Sequence, residues 1–305
     1  MMAKILVAGS LNMDLRFSMK RMPLEGETVL GDGLLYNPGG KGANQAAAAA
    51  KLGGDVAMLG AVGKDGFGDT LSRSLADCGC DVSALRRVTA PTGTASIYVD
   101  EQGRNSIVVI AGANAYCDTE YLKECEAQLE DCEILMLQLE IPYDAVWHMA
   151  KRAHALGKTV ILNPAPAPEA GEIPESVLKC IDWVTPNETE LSRLTALPCE
   201  EPSEIEEAAA KLQQLGVRNV LVTVGSRGAY LCTPEGSELI PTEKVKAVDT
   251  TAAGDCFNGA FAVGLSEGLA PAEAVRFANK AASISVTREG AQSSLPLRSE
   301  ISGLR

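Results

Sequence analysis

The sequence predicts a three-layer α/β/α fold around a mostly parallel central sheet, and two patterns carry that prediction. Short apolar runs bounded by turn residues recur along the chain, and amphipathic stretches of helical length separate them. Runs that are apolar at consecutive positions belong to strands buried on both faces, as in parallel sheets covered by helices. Taken in order, strands are expected at KILVAGS (4–10), DVAMLGAVG (55–63), EILMLQLE (133–140), TVILNPAP (159–166), DWVTPNE (182–188) and NVLVTVG (219–225). Helices are expected at AVWHMAKRAHALG (145–157) and SEIEEAAAKLQQLG (203–216). The second opens on Ser203 with an acidic first turn and stops at Gly216. Ligands then belong at the carboxyl ends of the strands.

Two regions break this rhythm. Residues 15–36 are polar and short-stranded, and GTASIYVDEQGRNSIVVI (93–110) reads as two strands around a Glu-Gln-Gly-Arg turn. Together they predict a small separate sheet. It could be a flap over a site, an edge that pairs with another subunit, or a plain peripheral hairpin. No internal repeat or long linker divides the chain, so a single α/β domain over 1–305 is expected.

Composition narrows the function. A net charge of −13 argues against broad binding to nucleic acid or an anionic membrane, while leaving room for a small anion held by backbone N–H groups. The nine cysteines are irregularly spaced and include no C-x-x-C pair, so reduced thiols in a cytoplasmic protein are expected, without a disulfide framework or a zinc site. His148 and His154 lie in a helical stretch with no nucleophile beside them and read as structural. No apolar run reaches 18 residues, and no leader is expected before the first strand.

The chemistry-bearing stretches begin with VDTTAAGDCFNGA (248–260). Asp255 follows Ala252, Ala253 and Gly254 where an apolar helix begins. One reading is an acid at a helix N-terminus; the other is an anion hole with a base beside it. In NPGGKGANQAAAAAKLGG (37–54), Gly39, Gly40 and Gly42 could let the backbone approach a ligand, with Lys41 and Asn44 as donors, or could be a glycine-rich turn. Its spacing is not that of a Walker A loop. In GSLNMD (9–14), Asn12 and Asp14 fall on one side of an extended chain and suit a polyhydroxyl compound, or else a turn. Glu140 in LQLEIP and Asn187 and Glu190 in TPNETE sit just past strands. The latter pair could cap a helix or hold hydrated Mg²⁺ and phosphate. TVGSRGAYL (223–231) reads as strand, turn and strand able to receive a nucleotide, and VTREGAQSSLP (286–296) as a loop able to wrap a monovalent cation.

GGKGANQA, TPNETE, TVGSRG, DTTAAGD with FNGA, and VTREGAQSS stand in the order and spacing of the phosphofructokinase-B sugar kinases, and the whole chain resembles that family, in its ribose-phosphorylating branch. The resemblance implies a ribokinase-like fold, ATP as co-substrate, Mg²⁺ and K⁺, phosphorylation of D-ribose at its 5-hydroxyl, and a homodimer built through a lid of segments 12–20, 30–37 and 93–111. It makes Asp255 the base and the N–H groups of Ala252, Ala253 and Gly254 the anion hole. Sugar contacts would be Asn12, Asp14, Gly40, Lys41, Gly42, Asn44, Glu140 and Asp255. Nucleotide contacts would be Asn187, Thr223, Val224, Gly225, Ser226, Arg227, Gly228, Gly254 and Asn279. Glu190 would hold Mg²⁺ through water, and Asp249, Thr251, Ser285, Arg288, Gly290 and Ser294 would hold K⁺, largely by backbone carbonyls. Cys256 stands where the family commonly has a hydroxyl residue, and sensitivity to oxidation is expected there. The alternatives are a kinase for 2-deoxyribose, fructose or a nucleoside, a sugar-binding protein without catalysis, and an oxidoreductase. The intact Asp255 and the lack of G-x-G-x-x-G after the first strand weigh against the last two.

Overall fold

The structure, a computed structural model, describes residues 4–301. Its strands in chain order are β1 (Ile5–Ala8), β2 (Asn12–Met19), β3 (Gly31–Gly39), β4 (Val56–Leu59), β5 (Ala61–Gly63), β6 (Arg86–Val88), β7 (Gly93–Asp100), β8 (Asn105–Ile110), β9 (Ile134–Leu137), β10 (Thr159–Leu162), β11 (Trp183–Val184), β12 (Asn219–Thr223), β13 (Ala229–Thr233) and β14 (Gly236–Ile240). Eight form the central sheet in the order β14-β13-β12-β11-β10-β9-β1-β4. Neighbours from β12 to β4 are parallel, and β13 and β14 add an antiparallel hairpin at one edge.

Strand periodicity divides the core into two layers. Ile5 and Val7 of β1 face one side and Leu6 and Ala8 the other, all fully buried. One side is covered by the helices Tyr143–Ala155, Glu188–Thr195 and Pro202–Gln214, the other by Lys41–Lys51, Gly66–Asp77, Ala253–Ser266 and Pro271–Ser285. This is the predicted three-layer α/β/α arrangement. Small residues set its tightest contact. Ala43 and Ala46 to Ala49 are fully buried, and a Cβ placed on Gly259 would lie 2.6 Å from the Gln45 carbonyl oxygen. The helices Lys41–Lys51 and Ala253–Ser266 therefore meet backbone to backbone. Trp183 meets the edge of Phe261 at 4.9 Å and ties the second of them to the sheet.

Some boundaries move. The run 55–63 splits at Gly60, where a Cβ would lie 2.4 Å from the Leu11 side chain and 2.9 Å from the Gly9 oxygen. The chain turns there, and β5 pairs with β6 outside the main sheet. The helix expected to open on Ser203 opens at Pro202, because the Glu204 carboxylate accepts from the N–H groups of Glu200 and Glu201 and proline suits a first helical position.

A second sheet, in the order β3-β2-β7-β8, grows from the end of β1. Its inner pair β2 and β7 is parallel and its outer pairs are antiparallel. Leu35, Tyr36 and Ile107 to Ile110 are exposed on it. Among the described residues no helix is long and apolar enough to cross a membrane.

Candidate active site

The carboxyl ends of β1, β9, β10 and β11 converge on the N-termini of the helices Lys41–Lys51 and Ala253–Ser266. The segment following β1 is held by Asn114. Its amide donates to the Leu11 carbonyl oxygen at 3.1 Å and to Asn12 Oδ1 at 2.8 Å, and its oxygen accepts from Leu11 N–H at 2.9 Å. The glycines of the 39–42 turn let the chain pack closely against its own Gly9–Asp14 segment. A Cβ at Gly39 would lie 2.3 Å from Asp14 Oδ2, one at Gly40 2.6 Å from Asn12 N, and one at Gly42 2.7 Å from Ser10 N. Gly42 is thus a packing residue, whose N–H points to Ser10 Oγ at 3.4 Å.

Asp255 is the third residue of the helix Ala253–Ser266 and is 7% exposed. Asn44 Nδ2 donates to its Oδ2 at 3.0 Å, and Gln45 Nε2 to its Oδ1 at 3.0 Å. The preceding Ala252 has φ 58°, a left-handed conformation uncommon outside glycine. The Ala253 N–H donates to the Thr250 oxygen at 3.2 Å, so it is committed to the turn. The N–H groups of Ala252 and Gly254 have no protein acceptor among the described residues. Apart from its chain neighbours and the backbone of its own helix, nothing lies within 4 Å of where a Cβ would stand on Gly254, so the helix N-terminus is open at that point. Unpaired N–H groups and an open approach make an anion site.

Five charged groups lie around this point: Asp14, Lys41, Glu140, Glu190 and Asp255. Ser10 Oγ donates to Glu140 Oε2 at 2.5 Å, and the Lys41 N–H donates to the same oxygen at 3.2 Å. Burial raises the pKa of Asp255, and Lys41 with the amides of Asn44 and Gln45 opposes that rise. Burial works against the Lys41 charge, but Asp255, Glu140 and Glu190 together hold its pKa above the ordinary value. Asp14 is pushed up to about 7 by burial, then by Glu140 and Asp255. Unfolded, Asp14 releases its proton near 3.8; folded, it holds it to about 7. Between those values the folded state binds the extra proton, so rising pH costs stability across the window. Asp14→Asn is therefore expected to raise Tm at about pH 8 and to leave it nearly unchanged at about pH 4. Thermal melts at the two pH values check this.

Asn187, residues 223–228 and Asn279 are distributed differently. Asn187 caps the helix Glu188–Thr195: the Glu190 N–H donates to Asn187 Oδ1 at 2.8 Å, and the Asn187 N–H to Glu190 Oε2 at 2.9 Å. Of the two sequence readings, capping is the one seen, and it leaves Glu190 Oε1 free. The Thr223 N–H donates to the Pro186 oxygen at 3.0 Å, which sets β12 beside this cap. Residues 225–227 form one turn closed by a hydrogen bond from the Val224 N–H to the Gly228 oxygen, while Arg227 pairs with Glu188 and Ser226 is exposed. Gly228 has φ 109° and a Cβ there would lie 2.2 Å from the Ile240 oxygen. Asn279 is buried, with its amide nitrogen spent on Ile240 O at 2.9 Å.

The cation-loop residues also form one unit. The Gly290 N–H donates to Asp249 Oδ2 at 3.0 Å, and Thr251 donates to Asp249 Oδ1 through N–H and hydroxyl. Ser285 and Ser294 donate to carbonyls of their own turns, and Arg288 pairs with Glu300. A cleft of about 400 Å³ opens between the second sheet and this unit, with Asp14, Arg16, Asn105 and Asp249 on its walls.

Cys256 corrects one expectation. It is fully buried and burial pushes its thiol up to about 12, so little thiolate exists to react with an oxidant. His148 lies on the helix Tyr143–Ala155 and pairs with Glu126. Sequence reasoning missed Ser10, Gln45, Asn114, Gln138, Asn163, Thr185 and Asn258. Ser10, Gln138, Asn163 and Thr185 each follow an apolar strand run, while nothing local in the sequence marks Gln45, Asn114 or Asn258.

A family model described as pfkB family carbohydrate kinase matches residues 2–298. A ribokinase of Haemophilus influenzae is 40% identical over 295 residues, 96% of this chain and 95% of that protein. A deoxyribokinase of Salmonella typhimurium is 39% identical over 293 residues, covering 96% and 95%. The solved structure of Arabidopsis thaliana ribokinase complexed with ribose and ATP is similar at TM-score 0.91 and 37% identity, covering 99% of this chain and 98% of that one.

Proposed function

The chain belongs to the pfkB family of carbohydrate kinases, and from that premise we propose that it phosphorylates D-ribose at the 5-hydroxyl with ATP, giving D-ribose 5-phosphate and ADP. The observation that carries this reading is Asn44. It is 6% exposed, its amide nitrogen holds Asp255, and its Oδ1 is buried without a partner. A buried acceptor without a donor is costly, and a sugar hydroxyl beside the base would supply one.

In the reaction, Asp255 accepts the proton of the 5-hydroxyl as its oxygen bonds to the γ-phosphorus. The bond from that phosphorus to the β–γ bridging oxygen breaks, and ADP leaves. The open N–H groups of Ala252 and Gly254 meet negative charge on the transferring group, which is where phosphoryl transfer needs stabilisation. Asn12, Asp14, Asn44 and Glu140, with Lys41 and Gly40, hold the sugar hydroxyls. The turn 223–228 and Asn187 receive the nucleotide, with Asn279 behind them holding the Ile240 carbonyl.

Glu190 fits a hydrated Mg²⁺, since it keeps one free carboxylate oxygen, and the ion bound there would neutralise phosphate charge. The carbonyls of the 249–251 and 285–294 segments fit K⁺. The nine free cysteines fit a reducing cytoplasm. The second sheet acts as the lid, and its exposed face, with Val108 56% and Ile110 59% exposed, is the surface of a homodimer. Val108→Glu is expected to give a monomer in light scattering where the native chain is a dimer.

The test is ADP production with ATP, Mg²⁺ and K⁺ against ribose, 2-deoxyribose, fructose, adenosine and pseudouridine. Turnover strongest on ribose supports the reading; turnover strongest on another member moves the substrate and keeps the mechanism. The Asn12 and Asp14 pair favours a sugar with a 2-hydroxyl over its deoxy analogue.

A further inference from the structure

Behind Asp255 lies a circuit of neutral side chains. Gln45 is fully buried, and its Nε2 donates both to Asp255 Oδ1 at 3.0 Å and to Asn163 Oδ1 at 3.1 Å. Its Oε1 accepts from Gln138 Nε2 at 2.7 Å. Asn163 Nδ2 donates to the Thr185 oxygen at 3.0 Å, Thr185 Oγ1 donates to Asn258 Oδ1 at 2.6 Å, and Asn258 Nδ2 donates to the Gly254 oxygen at 2.8 Å. The circuit starts at the carboxylate and returns to the residue before it, on the open anion loop.

Each member has only one workable orientation. Turning the Gln45 amide over would set its oxygen against the oxygens of Asp255 and Asn163 and its nitrogen against the Gln138 donor. Asn163 is in turn held by its own donation to Thr185. The two carboxylate oxygens of Asp255 are thereby told apart. Oδ1 faces Gln45, whose bonding is entirely internal, and Oδ2 faces Asn44, whose own oxygen is buried without a partner.

We propose that Gln45 is a positioning residue: it holds Asp255 Oδ1 inward as a hydrogen-bonded anion and so presents Oδ2 to the substrate hydroxyl. The inference rests on the kinase reading above. Gln45 touches no reacting atom. Its donor favours the ionised carboxylate that burial disfavours, consistent with its opposing the upward shift of Asp255.

The test compares native protein with Gln45→Met, which keeps length and removes both donors, and with Gln138→Met, which removes the donor to Gln45 Oε1 and so loosens the hold on Gln45. The readout is the pH profile of kcat, on whichever panel sugar the native protein turns over fastest. Gln45→Met is expected to move the acid limb upward by about one pH unit or more and to lower kcat at neutral pH by about 10-fold, the worth of one charge-assisted hydrogen bond. KM for the sugar should stay within about twofold. Gln138→Met should shift the limb in the same direction by less. A lowered Tm with an unmoved acid limb in both variants overturns the proposal. If Gln45→Met does not fold, an unmoved limb in Gln138→Met overturns it alone. Absence of turnover by the native protein on every sugar would instead refute the kinase reading.

Discussion

Asp255→Ala is expected to lower kcat by about 10²–10⁴-fold, the usual worth of a general base. The residue is buried, faces the open N-terminus of its helix, and is the one carboxylate here held by two amide donors. The alanine variant keeps the Ala252 and Gly254 N–H groups, so ATP affinity measured by calorimetry should change by less than about threefold. The sign of the pH dependence follows from its role. Asp255 works ionised, and burial raises its pKa, so native activity is lost as pH falls through that value. The acid limb should vanish from the residual activity of the variant. Retention of more than a tenth of native kcat would assign the base elsewhere, with Asp14, Glu140 and Glu190 the remaining carboxylates.

Gly259→Val is expected to cost about 3 kcal/mol of stability and most of the activity, although residue 259 touches no ligand. A Cβ there would lie 2.6 Å from Gln45 O, 2.7 Å from Ala48 Cβ and 2.9 Å from Ala49 N. Two of these are backbone atoms and cannot step aside, so the helices Lys41–Lys51 and Ala253–Ser266 must separate, an overpacking at the upper end of the usual range. One helix carries Asn44 and Gln45 and the other Asp255, so separation loosens both hydrogen bonds to the base. Denaturant unfolding and kcat together check this. Gly259→Ala should show the same pattern at lower amplitude. Full activity in a destabilised Gly259→Val would mean that the base does not depend on this helix contact.

The central strands were legible because burial on both faces makes them apolar at consecutive positions, and burial is written into residue type. The Ala-rich run 43–50 and Gly259 likewise announce close packing. The candidate base was legible for another reason: an acid three residues into an apolar helix, after small residues, has few roles. What Gly39 and Gly42 do was not legible, since a glycine says that something comes close and not what. The residues near them turned out to be Asp14 and Ser10, more than 20 positions away. Cys256 misled in the same way, because reactivity depends on exposure that a sequence does not carry.

By itself, the sequence determined the layer architecture, the second sheet, the helix start just before Asp255 and the pfkB membership. Each is carried by local pattern or by motifs of contiguous residues. Only the tertiary structure decided which amide holds each oxygen of Asp255, which N–H groups remain open beside it, and that Asp14 holds its proton to about 7. Those depend on amides and carboxylates far apart in the chain, such as Gln45 and Asp255. A neutral buried amide has no sequence signature, and its effect comes from direction and distance, which exist only once the strands have brought their carboxyl ends together.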